Sequence, residues 1–270
     1  MQDWNELHLS EDPAIELLQA MGYTFVSPEQ LESERENYKE VILVSRLEKK
    51  LKELNPWLSN ENLNKAVREI THVPATSLME ANEKIYTSLV HSISLEQDIG
   101  QGKKGYNVYF IDFEHPEKNE FIVTRQFTVS GPKETIKCDI VVFVNGIPLV
   151  VFECKNPTIH ESIDKAITQL FRYQELKDEY KNRGAPKLFE TIQILIATCG
   201  QKAKFATICA PYRFFLEWKE PYPIKLDELH KQYTARLFGR TPNDQDVLIY
   251  GLLYPINLLD IVRNFIAFEV

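Results

Sequence analysis

Residues 136–157 read IKCDIVVFVNGIPLVVFECKNP and predict the centre of the fold. The apolar residues on both sides of the Asn-Gly dipeptide at 145–146 are typical of two β-strands, and this dipeptide is the strongest short-range signal for a hairpin turn. Asp139, Glu153 and Lys155 interrupt the apolar pattern. Because a buried carboxylate without a partner is costly, these charges must be paired, solvated or bound to a cation. The hairpin is therefore also the first candidate for a functional site.

The register of the hairpin decides whether the two carboxylates can cooperate. With a bare two-residue turn, Asp139 and Glu153 would face opposite sides, because side chains alternate along a strand. One extra residue, from a three-residue loop or a bulge, sets Asp139 opposite Glu153 and places Lys155 on the same face. Pro148 lacks a backbone donor and is best tolerated where regular pairing is broken. We therefore predict a bulge near Pro148 and a shared face.

Two adjacent carboxylates predict a divalent cation. They repel each other unless a cation intervenes, and oxygen ligands without histidine or thiolate favour Mg²⁺ or Mn²⁺. The predicted ligands are Asp139, Glu153 and the backbone carbonyl of Cys154. Lys155 is predicted to orient or activate an attacking water, or to neutralise a pentavalent phosphate. A simple surface ion pair between Glu153 and Lys155 is the alternative.

The charge of the chain limits how it could bind nucleic acid. A net charge of −8 over 270 residues argues against binding by bulk electrostatics, but it leaves room for a local basic groove. Basic residues cluster close to the hairpin, and Lys165, Arg172 and Lys177 are candidates for contacts with DNA phosphates. A solvated helix face explains them equally well.

The composition also sets the general class of protein. With 44% hydrophobic and 26% charged residues, the chain is typical of a globular protein. No apolar run approaches the ~20 residues of a membrane span, and the N-terminus lacks the pattern of a signal peptide. We therefore expect no membrane association and a cytoplasmic location. The four cysteines lack CxxC spacing and are interpreted as buried thiols.

Periodicity predicts an N-terminal helical layer followed by a mixed sheet. Helices are predicted at 10–22, 38–54, 60–71, 77–95, 159–180 and 225–238, with two more apolar helical patterns from Asp246 onward. Strands are predicted at 106–113, 121–129, 191–199 and 213–218, in addition to the hairpin. The order strand, helix, strand between the hairpin and residue 199 implies a parallel crossover.

The site residues resemble a known nuclease signature. Asp139, thirteen further residues and then Glu-Cys-Lys at 153–155 resemble the PD-(D/E)xK motif, with Cys138 in place of its proline. The surrounding segments are more specific. They resemble the N-terminal region of the restriction subunit of type I restriction-modification enzymes, and they read IDFEHPEKNEFIVTRQFTVSG, CDIVVFVNGIPLVVFECKNP and AITQLFRYQ. The resemblance extends from about Ser10 to the C-terminus.

This resemblance implies an α/β fold of the restriction-endonuclease type, with a mixed central sheet flanked by helices. Gln169 and Tyr173 form the QxxxY element and are expected to assist near the metal or the DNA backbone. The alternatives to this role are that Tyr173 is a residue of the core and that the Gln169 amide forms hydrogen bonds with the local backbone. Glu11 is a further candidate metal ligand from the first helix, although an acid that stabilises the helix dipole is an equal explanation.

The resemblance also implies a division of labour within a longer protein. We expect an N-terminal helical layer at 1–100, a nuclease core at 101–240, and the start of a linker or first motor domain at 241–270. No GxxxxGK[ST] motif occurs, so ATP is expected to bind only to motor domains outside this chain. The uncapped apolar pattern at the end of the chain also predicts a continuation.

The expected activity is Mg²⁺-dependent cleavage of duplex DNA without sequence specificity of its own. Specificity and modification subunits are the expected partners. A free-standing repair or junction nuclease, and a docking module with vestigial nuclease residues, are the alternatives.

Overall fold

The computed structural model describes residues 7–100 and 102–268. Its strands, in chain order, are β1 Thr24–Phe25, β2 Ile93–Asp98, β3 Lys103–Val108, β4 Phe121–Ser130, β5 Thr135–Val144, β6 Ile147–Cys154, β7 Ile194–Thr198 and β8 Ala203–Ala206. Within the described residues, six of these form one sheet in the order β1-β4-β5-β6-β7-β8, and β2 and β3 form a separate antiparallel pair.

The central sheet is mixed, as predicted. The strands β4, β5 and β6 are consecutive and antiparallel, whereas β1 is parallel to β4 and β7 is parallel to β6. Strand β8 closes the other edge in antiparallel orientation. Every residue of β6 and β7 is buried, which is typical of strands that are covered on both faces.

Helices cover the sheet. They are α1 Asp12–Ala20, α2 Pro28–Ser33, α3 Val44–Leu54, α4 Asn60–Thr71, α5 Leu78–His91, α6 Ser162–Gln174, α7 Pro186–Phe189, α8 Leu226–Leu229, α9 Ala235–Phe238, α10 Asp244–Leu253 and α11 Pro255–Asn264. A π-helical turn at Leu7–Glu11 precedes α1. Helix α6 connects β6 to β7 and packs on both strands, which confirms the predicted crossover. Helix α10 packs against α1, and α1 packs against β4.

Local sequence signals explain several helix starts. Ser59 and Ser77 cap α4 and α5 by accepting hydrogen bonds from the backbone N–H of Asn62 and Glu80, as serine commonly does at this position. These two helices begin where the sequence predicted them. Asn243 caps α10 in the same way.

Several predicted boundaries were wrong. The helix predicted at 38–54 begins at Val44, and the helix predicted at 159–180 ends at Gln174. Two further boundaries were wrong for reasons that can be identified. The helix predicted at 77–95 ends at His91, because Ser92 has a positive φ of 63° and the chain then enters β2. The strand predicted at 106–113 is β3, and it ends at Val108. The side chain of Asn55 exchanges hydrogen bonds with the backbone N–H and C=O of Tyr109, so that backbone is satisfied without a strand partner.

The edge of the central sheet also differs from the prediction. The strand predicted at 213–218 is reduced to a single antiparallel bridge between Leu216 and Phe205, because a 3₁₀ turn occupies Tyr212–Phe214. Strand β8 was not predicted.

Two observations bear on the predicted division at residue 100: β1 joins the central sheet, and β2 pairs with β3 from the other side of the boundary. That division stays a prediction.

No single helix in the described part of the chain has the length and apolar character of a membrane span. Helices α10 and α11 have the required length and apolar character only when they are taken together, and they are bent by 68° relative to each other.

Candidate active site

The β5–β6 hairpin contains the extra residue that a shared carboxylate face requires. Asn145 and Gly146 both have positive φ and form the turn, which closes the pairs Val144–Ile147 and Phe143–Pro148. The next pair is Val142–Val150, so Leu149 is a one-residue bulge. From there the offset pairing continues to Ile140–Phe152. The predicted bulge is thus confirmed, directly after Pro148.

This offset puts Asp139 and Glu153 across from each other on one face, directly beyond the last pair, Ile140–Phe152. Asp139 is 8% exposed and Glu153 is fully buried. The Oδ2 atom of Asp139 accepts a hydrogen bond from the backbone N–H of Cys154, at 2.7 Å. The side chain of Asp139 is therefore fixed by the strand that carries Glu153.

Lys155 contacts the same carboxylate pair. Its Nζ donates to Oε1 of Glu153 at 2.5 Å and to the backbone carbonyl of Cys154 at 2.9 Å. The lysine side chain is 14% exposed, so the ion pair is largely shielded from solvent. The ion pair between Glu153 and Lys155, the alternative considered from the sequence, is present, but it does not lie on the surface.

The electrostatic balance of the pair is unfavourable. Burial raises the pKa of Glu153 well above its ordinary value, and the charge of Asp139 adds to that effect. Burial also raises the pKa of Asp139, although Lys155 and the hydrogen bond from Cys154 act in the opposite direction. The Oε2 atom of Glu153 is buried and has no hydrogen-bond partner among the described residues. A buried acceptor in this condition is rare and costly.

The donor set fits a hard divalent cation. It comprises the carboxylates of Asp139 and Glu153 and the carbonyl of Cys154, all of them oxygen ligands of the kind that Mg²⁺ and Mn²⁺ prefer. A cation would also satisfy the unpaired Oε2 and offset the repulsion between the carboxylates. Among the described residues, no group of three or more His, Cys, Asp or Glu side chains is arranged to hold a metal ion. The fit therefore depends on two carboxylates and a backbone oxygen.

Glu11, the candidate from the start of the chain, lies close to this pair. It is 3% exposed. The side-chain amide of Gln126 contacts its carboxylate at 3.2 and 3.4 Å, and the same amide lies 3.5 Å from Oδ1 of Asp139. The structure thus brings Glu11 to the site through Gln126, a residue that the sequence reasoning missed. The role of Glu11 as a metal ligand stays a prediction.

Gln169 and Tyr173, one helical turn apart on α6, also reach the site. The Nε2 of Gln169 donates to the Tyr173 hydroxyl at 2.6 Å, and that hydroxyl donates to the carbonyl of Lys137 at 3.0 Å. Burial raises the pKa of Tyr173, and the charge of Glu153 contributes. Because Lys137 is two residues before Asp139, this pair holds β5 next to the carboxylates.

The three basic candidates lie on or directly after α6, outside the carboxylate cluster. Lys165 and Lys177 are exposed. Arg172 is partly buried, with its guanidinium 3.8 Å from Glu134 and over the Tyr173 ring. Contacts of these residues with DNA stay a prediction.

Helix α10 contacts segments on two sides of the candidate site, which the sequence did not indicate. Gln245 at the start of α10 donates to the carbonyl of Ser10 and accepts from the hydroxyl of Thr198. The carbonyl of Thr198 in turn accepts a hydrogen bond from the backbone N–H of Lys155, at 2.8 Å. The buried side chain of Gln245 therefore connects α10 to Lys155 on one side of the candidate site and to the turn before Glu11 on the other.

Comparison with known proteins was consistent with this geometry. Residues 3–212 match the family described as type I restriction enzyme R protein N terminus. A Methanocaldococcus jannaschii protein, provisionally named type I restriction enzyme MjaIXP endonuclease subunit, is 28% identical over 98% of this chain and 26% of its own length. The type I restriction enzyme HindI endonuclease subunit of Haemophilus influenzae is 32% identical over 85% of this chain and 20% of its own length.

The chain therefore spans about a quarter or less of the length of these two relatives. The family match covers well over half of the chain, and the six-stranded mixed sheet flanked by helices agrees with a restriction-endonuclease-like fold. The chain belongs to the family of type I restriction enzyme R protein N-terminal domains.

Proposed function

We propose that this chain is the endonuclease domain of a type I restriction enzyme R subunit and that it hydrolyses phosphodiester bonds of duplex DNA. One observation supports this most strongly: two buried carboxylates share a face beside Lys155, and no described residue donates a hydrogen bond to Oε2 of Glu153. A purely structural pair would not need two carboxylates at this cost. The names of the relatives, which are endonuclease subunits, support the same reaction class.

Mg²⁺ or Mn²⁺ is the proposed cofactor, held by Asp139, Glu153 and the carbonyl of Cys154. When bound, the cation supplies Lewis-acid stabilisation of negative charge on the phosphate. Asp139 is oriented for this role by the N–H of Cys154. Lys155 is proposed to orient the attacking water and to stabilise the negative charge that develops on the phosphate oxygens, because its ammonium group lies against Glu153 in a largely buried site.

The remaining residues have supporting roles. Gln169 and Tyr173 hold β5 through the carbonyl of Lys137, and Lys165, Arg172 and Lys177 are proposed to contact DNA phosphates. In the full-length protein we expect ATP-dependent motor domains, together with specificity and modification subunits that direct cleavage. The cytoplasmic location belongs to the same proposal.

The direct test is cleavage of plasmid DNA by the full-length subunit assembled with its partner subunits. Asp139→Ala or Lys155→Ala is expected to reduce cleavage by about a thousandfold or more, because each change removes a group that acts on the reacting phosphate. ATP hydrolysis should be unchanged. Glu16→Ala, which removes an exposed acid on α1, is the matched control and should leave both activities intact.

Undiminished cleavage by both site variants would refute the assignment. Cleavage by the isolated subunit at the rate of the assembled enzyme would instead favour a free-standing nuclease. If neither Mg²⁺ nor Mn²⁺ binds to the wild-type chain in an Asp139-dependent manner, the chain is better explained as a docking module with vestigial nuclease residues.

A further inference from the structure

Gln126 breaks the regular backbone of β4 directly opposite the candidate site. It has a φ of +51°, a left-handed conformation that is costly for a residue with a Cβ atom. The ladder pairs on its two sides, Arg125–Ile140 and Phe127–Cys138, place it across from Asp139. A strained residue that persists in the middle of a strand indicates that its surroundings hold it there, and such residues cluster at functional sites.

The strain is accompanied by an unusual pair of contacts. Arg125 and Gln126 are consecutive strand residues, which normally point to opposite faces. Here both reach the same turn at the start of α1: Nη2 of Arg125 lies 2.6 Å from Oδ1 of Asp12, and Nε2 of Gln126 lies 3.2 Å from Oε1 of Glu11. The interruption at Gln126 therefore lets β4 bind two consecutive acidic residues.

The amide of Gln126 lies between two carboxylates. Its distances are 3.2 and 3.4 Å to the oxygens of Glu11 and 3.5 Å to Oδ1 of Asp139. Carboxylates only accept hydrogen bonds, so the NH₂ group must face them. These contacts are long, and each carboxylate oxygen retains lone pairs for another ligand.

The chemistry of the amide suits a cation site. Lysine or arginine at this position would neutralise the carboxylates and compete with a cation. An amide instead donates hydrogen bonds to both carboxylates and adds no charge. It can therefore hold two acidic groups close together and leave their negative charge available.

We propose that Gln126 is a positioning residue: its amide keeps Glu11 beside Asp139 and so sets the acidic surroundings of the divalent cation that Asp139 and Glu153 hold. This inference rests on the proposed function, because it concerns the same cation. Gln126 acts through Glu11 and Asp139, and its strained backbone is the structural condition for that contact.

Two substitutions separate the amide from the backbone strain. Gln126→Gly removes the amide and relieves the strain, so the thermal unfolding midpoint of the cation-free chain should rise by about 2–4 °C. Gln126→Met keeps a long side chain and the strain but cannot donate, so the midpoint should fall. Both variants should bind Mn²⁺ about tenfold more weakly, which is the usual effect of removing a group that orients a metal ligand.

The measurement is the Mn²⁺ concentration that gives the half-maximal rise of the unfolding midpoint of the 270-residue chain. Ser92→Gly is the matched control, because Ser92 has a φ of +63° at the end of α5 but no place at the site. It should gain stability and bind Mn²⁺ as the wild type does. A role limited to folding would make Mn²⁺ affinity independent of the amide.

Wild-type Mn²⁺ affinity in both Gln126 variants would overturn the proposal. So would a loss in Gln126→Met alone, because Gln126→Gly also lacks the amide, and the loss would then come from the methionine side chain and not from the missing amide. The proposed cation site is tested separately. Mn²⁺ should raise the unfolding midpoint of the wild-type chain, and Asp139→Asn should abolish that rise. If it does not, the cation site itself fails, which is distinct from a failure at Gln126 alone.

Discussion

The two ends of the β5–β6 hairpin bury polar groups in opposite ways. At the turn, the fully buried Asn145 satisfies all of its side-chain atoms. Its amide donates to the carbonyl of Phe110 and to Asn119, and its Oδ1 accepts from the backbone N–H of Glu120. At the open end, Glu153 is equally buried but charged. One of its oxygens is paired to Lys155, and the other has no partner in the part of the chain that the structure describes.

This difference separates a structural site from the candidate functional one. Burial alone does not identify function, because Asn145 and Glu153 are both fully buried. A neutral network with every donor and acceptor satisfied stabilises the fold, whereas incompletely satisfied charges cost stability and are retained where they bind or react. The comparison predicts that the side chain of Asn145 stabilises the fold, whereas the buried charge of Glu153 costs stability.

The largest effect on stability is expected at the turn. Asn145→Ala should lower the free energy of unfolding by about 3 kcal/mol, because it leaves several buried partners unsatisfied and puts alanine in a left-handed conformation. Chemical denaturation measures this change. Asn182→Ala is the control, since Asn182 has a similar φ of 62° but lies outside this network, and it should cost about 1 kcal/mol. Equal losses in the two variants would mean that the buried network contributes nothing.

A pH-dependent effect, smaller for each pH unit than the loss at the turn, is expected at the open end. Burial raises the pKa of Glu153 and of Asp139 in the folded protein, so the folded state binds protons more tightly than the unfolded state. In the cation-free protein, stability should therefore be fully present below the unfolded carboxyl pKa of about 4 and should fall as pH rises through the higher folded pKa values. The slope from one such group approaches about 1.4 kcal/mol per pH unit.

Glu153→Gln should reduce this pH dependence, because it removes one of the two buried titrating groups. Denaturation with a chelator present, at several pH values between about 5 and 8, measures the slope. Glu179→Gln, at an exposed position, is the control and should leave the slope unchanged. If Glu153→Gln retains the wild-type slope, then Glu153 does not oppose folding and the contrast between the two ends fails.

The smallest effect is expected where α6 supports the open end. Tyr173→Phe removes the hydroxyl that donates to the carbonyl of Lys137 and accepts from Gln169, and it should cost about 1 kcal/mol. Chemical denaturation at neutral pH gives the value. Tyr180→Phe, on the loop after α6, is a suitable control for the loss of a hydroxyl. A cost below that of the control would show that the QxxxY pair does not hold β5.

Much of the fold could be predicted from local signals. The Asn-Gly turn, the apolar strands beside it and the serine caps of α4 and α5 depend on residues close in sequence, and the structure has all of them. The boundaries at Ser92 and Tyr109 could not be predicted. They depend on a residue with positive φ and on a side-chain contact with Asn55, which lies 54 residues away from Tyr109.

The candidate site divides in the same way. The sequence by itself determined the residue types: two carboxylates and a lysine on an apolar hairpin, and a glutamine and a tyrosine one turn apart on the following helix. It also required one extra residue in the hairpin, because side-chain alternation would otherwise separate Asp139 from Glu153. Only the tertiary structure placed that residue at Leu149.

The tertiary structure alone brought Glu11 and Gln126 together, although they are 115 residues apart in the sequence. It also decided the left-handed conformation of Gln126 and the contact of Gln245 with Ser10. Periodicity and turn chemistry act over a few residues and can be recognised in one chain. Contacts between distant segments depend on how the helices pack on the sheet, and no local pattern encodes that packing.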